Sequence, residues 1–201
     1  LYTDISDSQA DLSACGINVV YHSNFDNQRD DRLYYQIKFS GLQNIDREVL
    51  EQTDVSSCNK IFRRSMIRRY DLHFPEGLLY EDYYFVKSYM LLSRTMSYVD
   101  EYLYNYVRRP GSIMASTFAN NSSKALDHMT IYLWLFDDYN KKYNLIARDP
   151  QYFIDEFKGT FTFSKTHLPY DKLPDLYKTV NEFLNKNSHY LNECSPLIVP
   201  A

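Results

Sequence analysis

Residues 57–114 read SCNKIFRRSMIRRYDLHFPEGLLYEDYYFVKSYMLLSRTMSYVDEYLYNYVRRPGSIM, and their alternation of helical and strand patterns decides how the chain is read. Ser56 or Ser57 suits an N-cap, and Ile61, Phe62, Met66 and Ile67 share one side of a helix expected over 58–70. The other side of that helix is basic, with Lys60, Arg63, Arg64, Arg68 and Arg69. Phe74-Pro75-Glu76-Gly77 makes a turn, because proline fixes φ and glycine relaxes it. A second helix is expected over 81–93, burying Phe85, Tyr89 and Leu92. Residues 96–99 and 102–107 then read as two strands around an acidic turn, Asp100-Glu101, and 109–116 as a loop.

Upstream, residues 10–21 read as a largely buried strand in which Gly16 permits a bulge or a close backbone approach. Residues 22–32 form a polar turn or loop, 33–39 a weaker strand, and 45–52 a short helix exposing Asp46, Glu48 and Glu51. Downstream the pattern is helical. Residues 123–143 carry one stripe through Leu126, Met129, Leu133, Phe136, Tyr139 and Tyr143. Asp149-Pro150 is an N-cap and first-turn pair for a helix turning Phe153, Ile154 and Phe157 inward. A last helix spans 171–186, and the tail 191–201 is expected to run irregularly. We divide the chain at 116/117, into an α/β part and a helical region.

Composition narrows the function. The chain has 201 residues, enough for one sizeable core, with 44% hydrophobic and 24% charged residues. A net charge of −4 argues against a general nucleic-acid binder. Cys15, Cys58 and Cys194 show no metal or disulfide spacing and read as free thiols of a reducing compartment. No apolar run approaches the roughly 18 residues of a membrane span. The 20 Tyr and 12 Phe suit half-buried cleft walls, and equally the codon usage of an AT-rich genome.

Two clusters can carry chemistry. Glu81-Asp82 opens a helix, where carboxylates gain about 0.3–1 kcal/mol from the macrodipole, so the pair reads as helix-start acids. At a cleft edge beside Tyr80, Tyr83 and Tyr84, the same pair can act as a general base on a hydroxyl. Arg108-Arg109-Pro110-Gly111-Ser112 is either a basic surface turn or a grip for phosphate oxygens. The basic side of 60–69 is either a solvated helix face or a surface for phosphates and anionic lipid. The five histidines show no ligand spacing, and Asp137-Asp138 reads as a solvated pair.

In their order, Cys58-Asn59-Lys60-Ile61-Phe62-Arg63-Arg64, Phe74-Pro75-Glu76-Gly77-Leu78-Leu79-Tyr80-Glu81-Asp82, Tyr104-Asn105-Tyr106 and Arg109-Pro110-Gly111-Ser112-Ile113 resemble the bacterial family 2 glycosyltransferases that build capsule, lipopolysaccharide and other surface glycans. The resemblance covers about residues 10–115 and implies an α/β, partial GT-A-like (Rossmann-related) mixed sheet with flanking helices and a C-terminal helical region. It implies inverting transfer of a sugar from a nucleotide-sugar donor to a hydroxyl of a glycan or lipid-linked acceptor. Asp82 would be the general base, with Glu81 contacting substrate, Asn59 and Lys60 at the sugar pocket, and Arg108, Arg109 and Ser112 at the leaving pyrophosphate. Val107 stands where the family carries arginine.

The family's Asp-x-Asp motif, which holds Mn²⁺ or Mg²⁺, precedes the strand that resembles residues 10–20. Thr3-Asp4-Ile5-Ser6-Asp7 does not match it, so this chain is expected to be an acceptor-side portion, inactive alone and without its own cofactor. The location implied is cytoplasmic, with peripheral contact at the inner membrane face. The alternatives are a non-catalytic glycan-binding module and a membrane-surface interaction module using the basic face of 60–69.

Overall fold

Strand β1 (Leu12–Tyr21) is central to a four-stranded mixed sheet of order β2-β4-β1-β3, where β2 is Gly41–Asn44, β3 is Lys60–Phe62 and β4 is Thr95–Arg108. In this computed structural model, residues 1–21, 37–109, 111–112, 122–143, 145–146 and 149–188 are described. β1 and β4 run parallel, while β3 and β2 flank them antiparallel. A parallel neighbour requires a long crossover, and the segment between β1 and β4 supplies it. That crossover holds helices α2 (Arg47–Gln52), α3 (Arg64–Tyr70) and α4 (Glu81–Leu92); α1 (Tyr2–Ser8) precedes β1. The result is the mixed sheet with flanking helices that the resemblance implied.

The described residues fall into two units, one of Leu1–Glu76 with Glu81–Pro110 and the other of Gly77–Tyr80 with Gly111–Ala201. In the first, Ser13 and Ser97 are register partners on β1 and β4. Both hydroxyls donate to Asp4 of α1, at 2.6 and 2.9 Å, which pins α1 to that face of the sheet. Asp4 is thereby engaged in holding the fold. Phe62 of β3 meets Phe85 and Tyr89 of α4 edge-on, and Phe74 stacks on Phe85. α4 is buried along Tyr83–Met90, so it is a core helix and not one with a single inner stripe; Leu92 at its end is half-buried. Asp46 caps α2 by accepting from Val49 N, and Lys87 of α4 donates to Leu50 O at 2.9 Å.

Two expectations for the first unit change. The helix expected from 58 starts only at Arg64, because residues 60–62 extend and pair with Leu12–Ala14. Lys60 is then interior and not part of a basic face, and Arg63 turns its guanidinium onto the carbonyls of Ala10 and Ile5. The two strands expected around Asp100-Glu101 are one 14-residue strand. Cys15, Gly16 and Ile17 pair with Val99, Tyr102 and Tyr104, so the exposed acids occupy a bulge opposite Gly16. A Cβ on Gly16 would lie 3.0 Å from Tyr102 and 3.2 Å from the Glu101 carbonyl, which explains the glycine. The expected strand 33–39 is not found over its described part, residues 37–39, which carry no regular structure; 33–36 lie outside the described residues.

The second unit is helical. α5 (Ala125–Asp138) ends in a π-helical turn, Tyr139–Tyr143, so the expected 123–143 helix changes its winding in the last five residues. α6 (Pro150–His167) is capped by Asp149, whose side chain accepts from Tyr152 N at 3.0 Å. α7 (Leu173–Lys186) follows a 3₁₀ turn at Tyr170–Lys172. Aromatic edges join the three helices, through Tyr132–Phe157, Phe136–Phe153 and Phe136–Phe183. Gly77–Tyr80 belongs with these helices, since Leu79 N donates to Asp127 at 3.0 Å and Tyr80 meets His128 and Phe163. The tail from 191 lies outside the described residues. Among the described residues, no helix is long and apolar enough to cross a membrane.

Candidate functional site

Asp82 lies in the first turn of α4, where unsatisfied N–H groups favour an acid. Its carboxylate is held on both oxygens by a single residue. Ser57 donates its backbone N–H to Oδ2 at 3.2 Å and its hydroxyl to Oδ1 at 2.9 Å. One lone-pair direction on each oxygen is left for another partner. Asp82 is half-buried. Glu81 precedes it, also half-buried, and follows Tyr80, which takes a positive φ of 68°. That backbone turn lets the chain leave the Gly77 bend (φ 78°) and enter the helix directly.

Behind Ser57 is a buried polar knot. The Lys60 ammonium donates to Asp54 Oδ1 (3.0 Å), Ser56 O (2.7 Å) and Asn59 Oδ1 (2.9 Å), which uses its three protons. Asn59 donates to Asp54 Oδ2 at 3.0 Å and to Cys15 O at 2.6 Å. The Lys60 side chain is 0% exposed and that of Asp54 9%. Burial lowers the Lys60 pKa from its ordinary value, and the negative charges of Asp54 and Asp82 oppose that shift.

Cys58, exposed and a free thiol, sits at the tip of the same turn. Its side chain beside the Tyr104 hydroxyl of β4 is the leading cause of a raised Tyr104 pKa. Partial burial and the negative charge available on Cys58, Tyr106 and Asp82 add to it. Further along β4, Arg108 lies with its guanidinium 5.9 Å from the Tyr106 ring, and Arg109 is exposed beyond the strand. Ser112 is half-buried after Gly111 (φ 73°) and belongs to the helical unit.

Thus Asn59, Lys60, Glu81 and Asp82 share one region of the first unit. Arg108 and Arg109 lie at the end of its longest strand. Ser57, read from sequence only as a helix cap, is the residue that grips Asp82. No local pattern marks it, because its partner is 25 positions away. Among the described residues, no group of three or more His, Cys, Asp or Glu is placed to hold a metal ion, and Asp4 spends its carboxylate on Ser13 and Ser97. These residues do not fit a divalent cation.

The fold is a partial glycosyltransferase-like, Rossmann-related α/β arrangement. It superposes on S. aureus TarS 1–349 in complex with UDP-GlcNAc with a TM-score of 0.63 at 19% identity, over 91% of this chain and 51% of that one. The same protein in complex with UDP gives 0.62 at 16% identity, over 91% and 49%. The longer S. aureus TarS structure gives 0.60 at 15% identity, over 92% and 30%. The chain spans about half the length of the 1–349 structures. No protein-family model matches the chain, and no curated protein matches it in sequence.

Proposed function

We propose that the protein carrying this chain is a family 2-type glycosyltransferase that moves a sugar from a nucleotide-sugar donor to a hydroxyl of a surface-glycan acceptor, with inversion. The observation that carries this reading is a carboxylate, Asp82, oriented on both oxygens by Ser57 at the head of a core helix, within a glycosyltransferase-like fold. The complexes of TarS with UDP-GlcNAc and UDP support a nucleotide-sugar donor.

In the proposed reaction the Asp82 carboxylate takes the proton of the acceptor hydroxyl as its oxygen attacks the anomeric carbon. The bond from that carbon to the diphosphate breaks on the opposite face, and the nucleoside diphosphate leaves. Arg108 and Arg109 offset the charge developing on it, and Glu81 holds the acceptor. Mn²⁺ or Mg²⁺ with its Asp-x-Asp motif is proposed for the longer protein, and no step here runs through it. The chain by itself is proposed to be inactive. A cytoplasmic location with contact at the inner membrane face is part of the same proposal. Its basic footing is Arg64, Arg68 and Arg69 of α3, since Lys60 and Arg63 are engaged inside.

The test is the anomeric configuration of the first product, read by NMR, when the full-length protein is supplied with UDP-sugars and a panel of glycan acceptors. Inversion with release of UDP is expected. Retention, or a glycan bound with no donor consumed, would overturn the reading in favour of a different mechanism or of a binding module.

A further inference from the structure

The knot behind Asp82 has a geometry that a substrate pocket does not need. All three ammonium protons of Lys60 are spent inside one turn, on Asp54, Ser56 O and Asn59. Asp54 is equally committed, since Oδ1 also accepts from Ser56 N at 2.9 Å and Oδ2 from Asn59. Asn59 then ties the turn to the sheet by exchanging two bonds with Cys15: its side chain donates to Cys15 O, and Cys15 N donates to Asn59 O at 3.0 Å. Cys15 sits where the β1–β4 register shifts. A continuous chain of bonds, buried as far as Lys60 and part-buried at Ser56, thus runs from the sheet bulge through Asn59, Asp54 and Lys60 to Ser56. The next residue, Ser57, delivers two bonds to Asp82.

From this connectivity we infer that Lys60 is a positioning residue for Asp82: with Asp54 it sets the 54–60 turn so that Ser57 aims the carboxylate, and it does not touch the sugar. This rests on Asp82 being the base and departs from the sugar-pocket role that the resemblance assigns to Lys60. Buried ion pairs often add little net stability, and geometric specification is their better-attested use. Here the geometry specified is that of a reacting group, where a displacement of about 1 Å costs on the order of a hundredfold in rate.

The test uses the full-length protein, comparing wild type with Asp54→Asn/Lys60→Met, which removes both buried charges together. Ser57→Ala, Ser57→Thr and the triple variant Asp54→Asn/Ser57→Ala/Lys60→Met complete the set. Turnover is measured alongside hydrogen exchange of the peptide covering 54–60. The double variant is expected to lower kcat by about tenfold to a hundredfold with donor KM within about twofold. Exchange at 54–60 should rise about tenfold, and the rate losses of Ser57→Ala and of the double variant should be less than additive in the triple variant, because both act on Asp82 through Ser57. Ser57→Thr, which keeps that hydroxyl, should recover most of the rate. A folded double variant with wild-type kcat, or with only a raised donor KM, overturns the inference. Should the double variant fail to fold, the Ser57 pair decides, and an unimpaired Ser57→Ala overturns it. If Asp82→Asn keeps full turnover, the base assignment fails separately, and unchanged exchange at 54–60 in the double variant would then refute the positioning network on its own.

Discussion

Tyr89→Phe removes one oxygen from the middle of the first unit, and the structure states what that oxygen holds. The Tyr89 ring is fully buried in α4. Its hydroxyl donates to Asp11 O at 2.7 Å, just before β1, and accepts from Arg63 N at 2.9 Å, just after β3. Burial raises its pKa above the ordinary phenol value, so it remains a donor at all working pH. Without it, Arg63 N and Asp11 O keep only their mutual 3.4 Å contact. Two part-buried backbone groups are left under-satisfied while the ring still fits, so the loss is a polar one. At about 1–3 kcal/mol for a stranded buried group, partly relieved by that residual contact, the expected destabilisation is about 2 kcal/mol. Urea unfolding followed by circular dichroism should show the midpoint falling by roughly 1 M with an unchanged slope. A shift below about 0.2 M would refute the account of Tyr89 as the clamp that sets α4, and with it Asp82, against the strand ends.

Further outcomes follow from single sites. Gly16→Val should cost about 1–3 kcal/mol in the same assay, because the Glu101 carbonyl at 3.2 Å from the new Cβ cannot rotate away. Asp149→Ala removes the cap on α6 and should cost about 1 kcal/mol. His128, between the Tyr80 and Phe163 rings, has its pKa lowered by burial to about 4 from the ordinary 6.5. The unfolded chain therefore binds the proton more readily. The stability that this residue contributes is complete above about pH 6.5 and falls away toward pH 4, by on the order of 3 kcal/mol in all. Equilibrium unfolding of wild type and His128→Gln between pH 4 and 7.5 should converge at the acid end, whereas parallel curves would contradict this.

Local patterns announced much of the fold. β1 with its Gly16 bulge, the short acidic helix α2, the start of α4 at Glu81 and the Asp149 cap all follow from residues within a few positions of one another. The errors arose where distant partners decide. Ile61-Phe62 and Met66-Ile67 satisfy a helical period, yet 60–62 extend because β1, some fifty positions upstream, offers an open edge. Asp100-Glu101 has turn composition, but its conformation answers to Gly16 on the neighbouring strand. Lys60 reads in sequence as one of five surface cations; Asp54, six residues earlier and also buried, together with Ser56 O and Asn59 makes its interior position tolerable. Asp82 is marked in the sequence as a helix-start acid, whereas its contact with Ser57 is not, since that contact exists only once α4 has packed beside the 54–60 turn.

The central claim is that Asp82 removes the acceptor proton. Asp82→Asn keeps the shape and an oxygen that can still accept from Ser57, so the fold should stay intact. With Glu81→Gln as the neighbouring comparison, kcat of the full-length protein for sugar transfer should fall by about 10²–10⁴-fold in Asp82→Asn alone, at an unchanged unfolding midpoint. Turnover within about threefold of wild type in a folded Asp82→Asn protein would contradict the account.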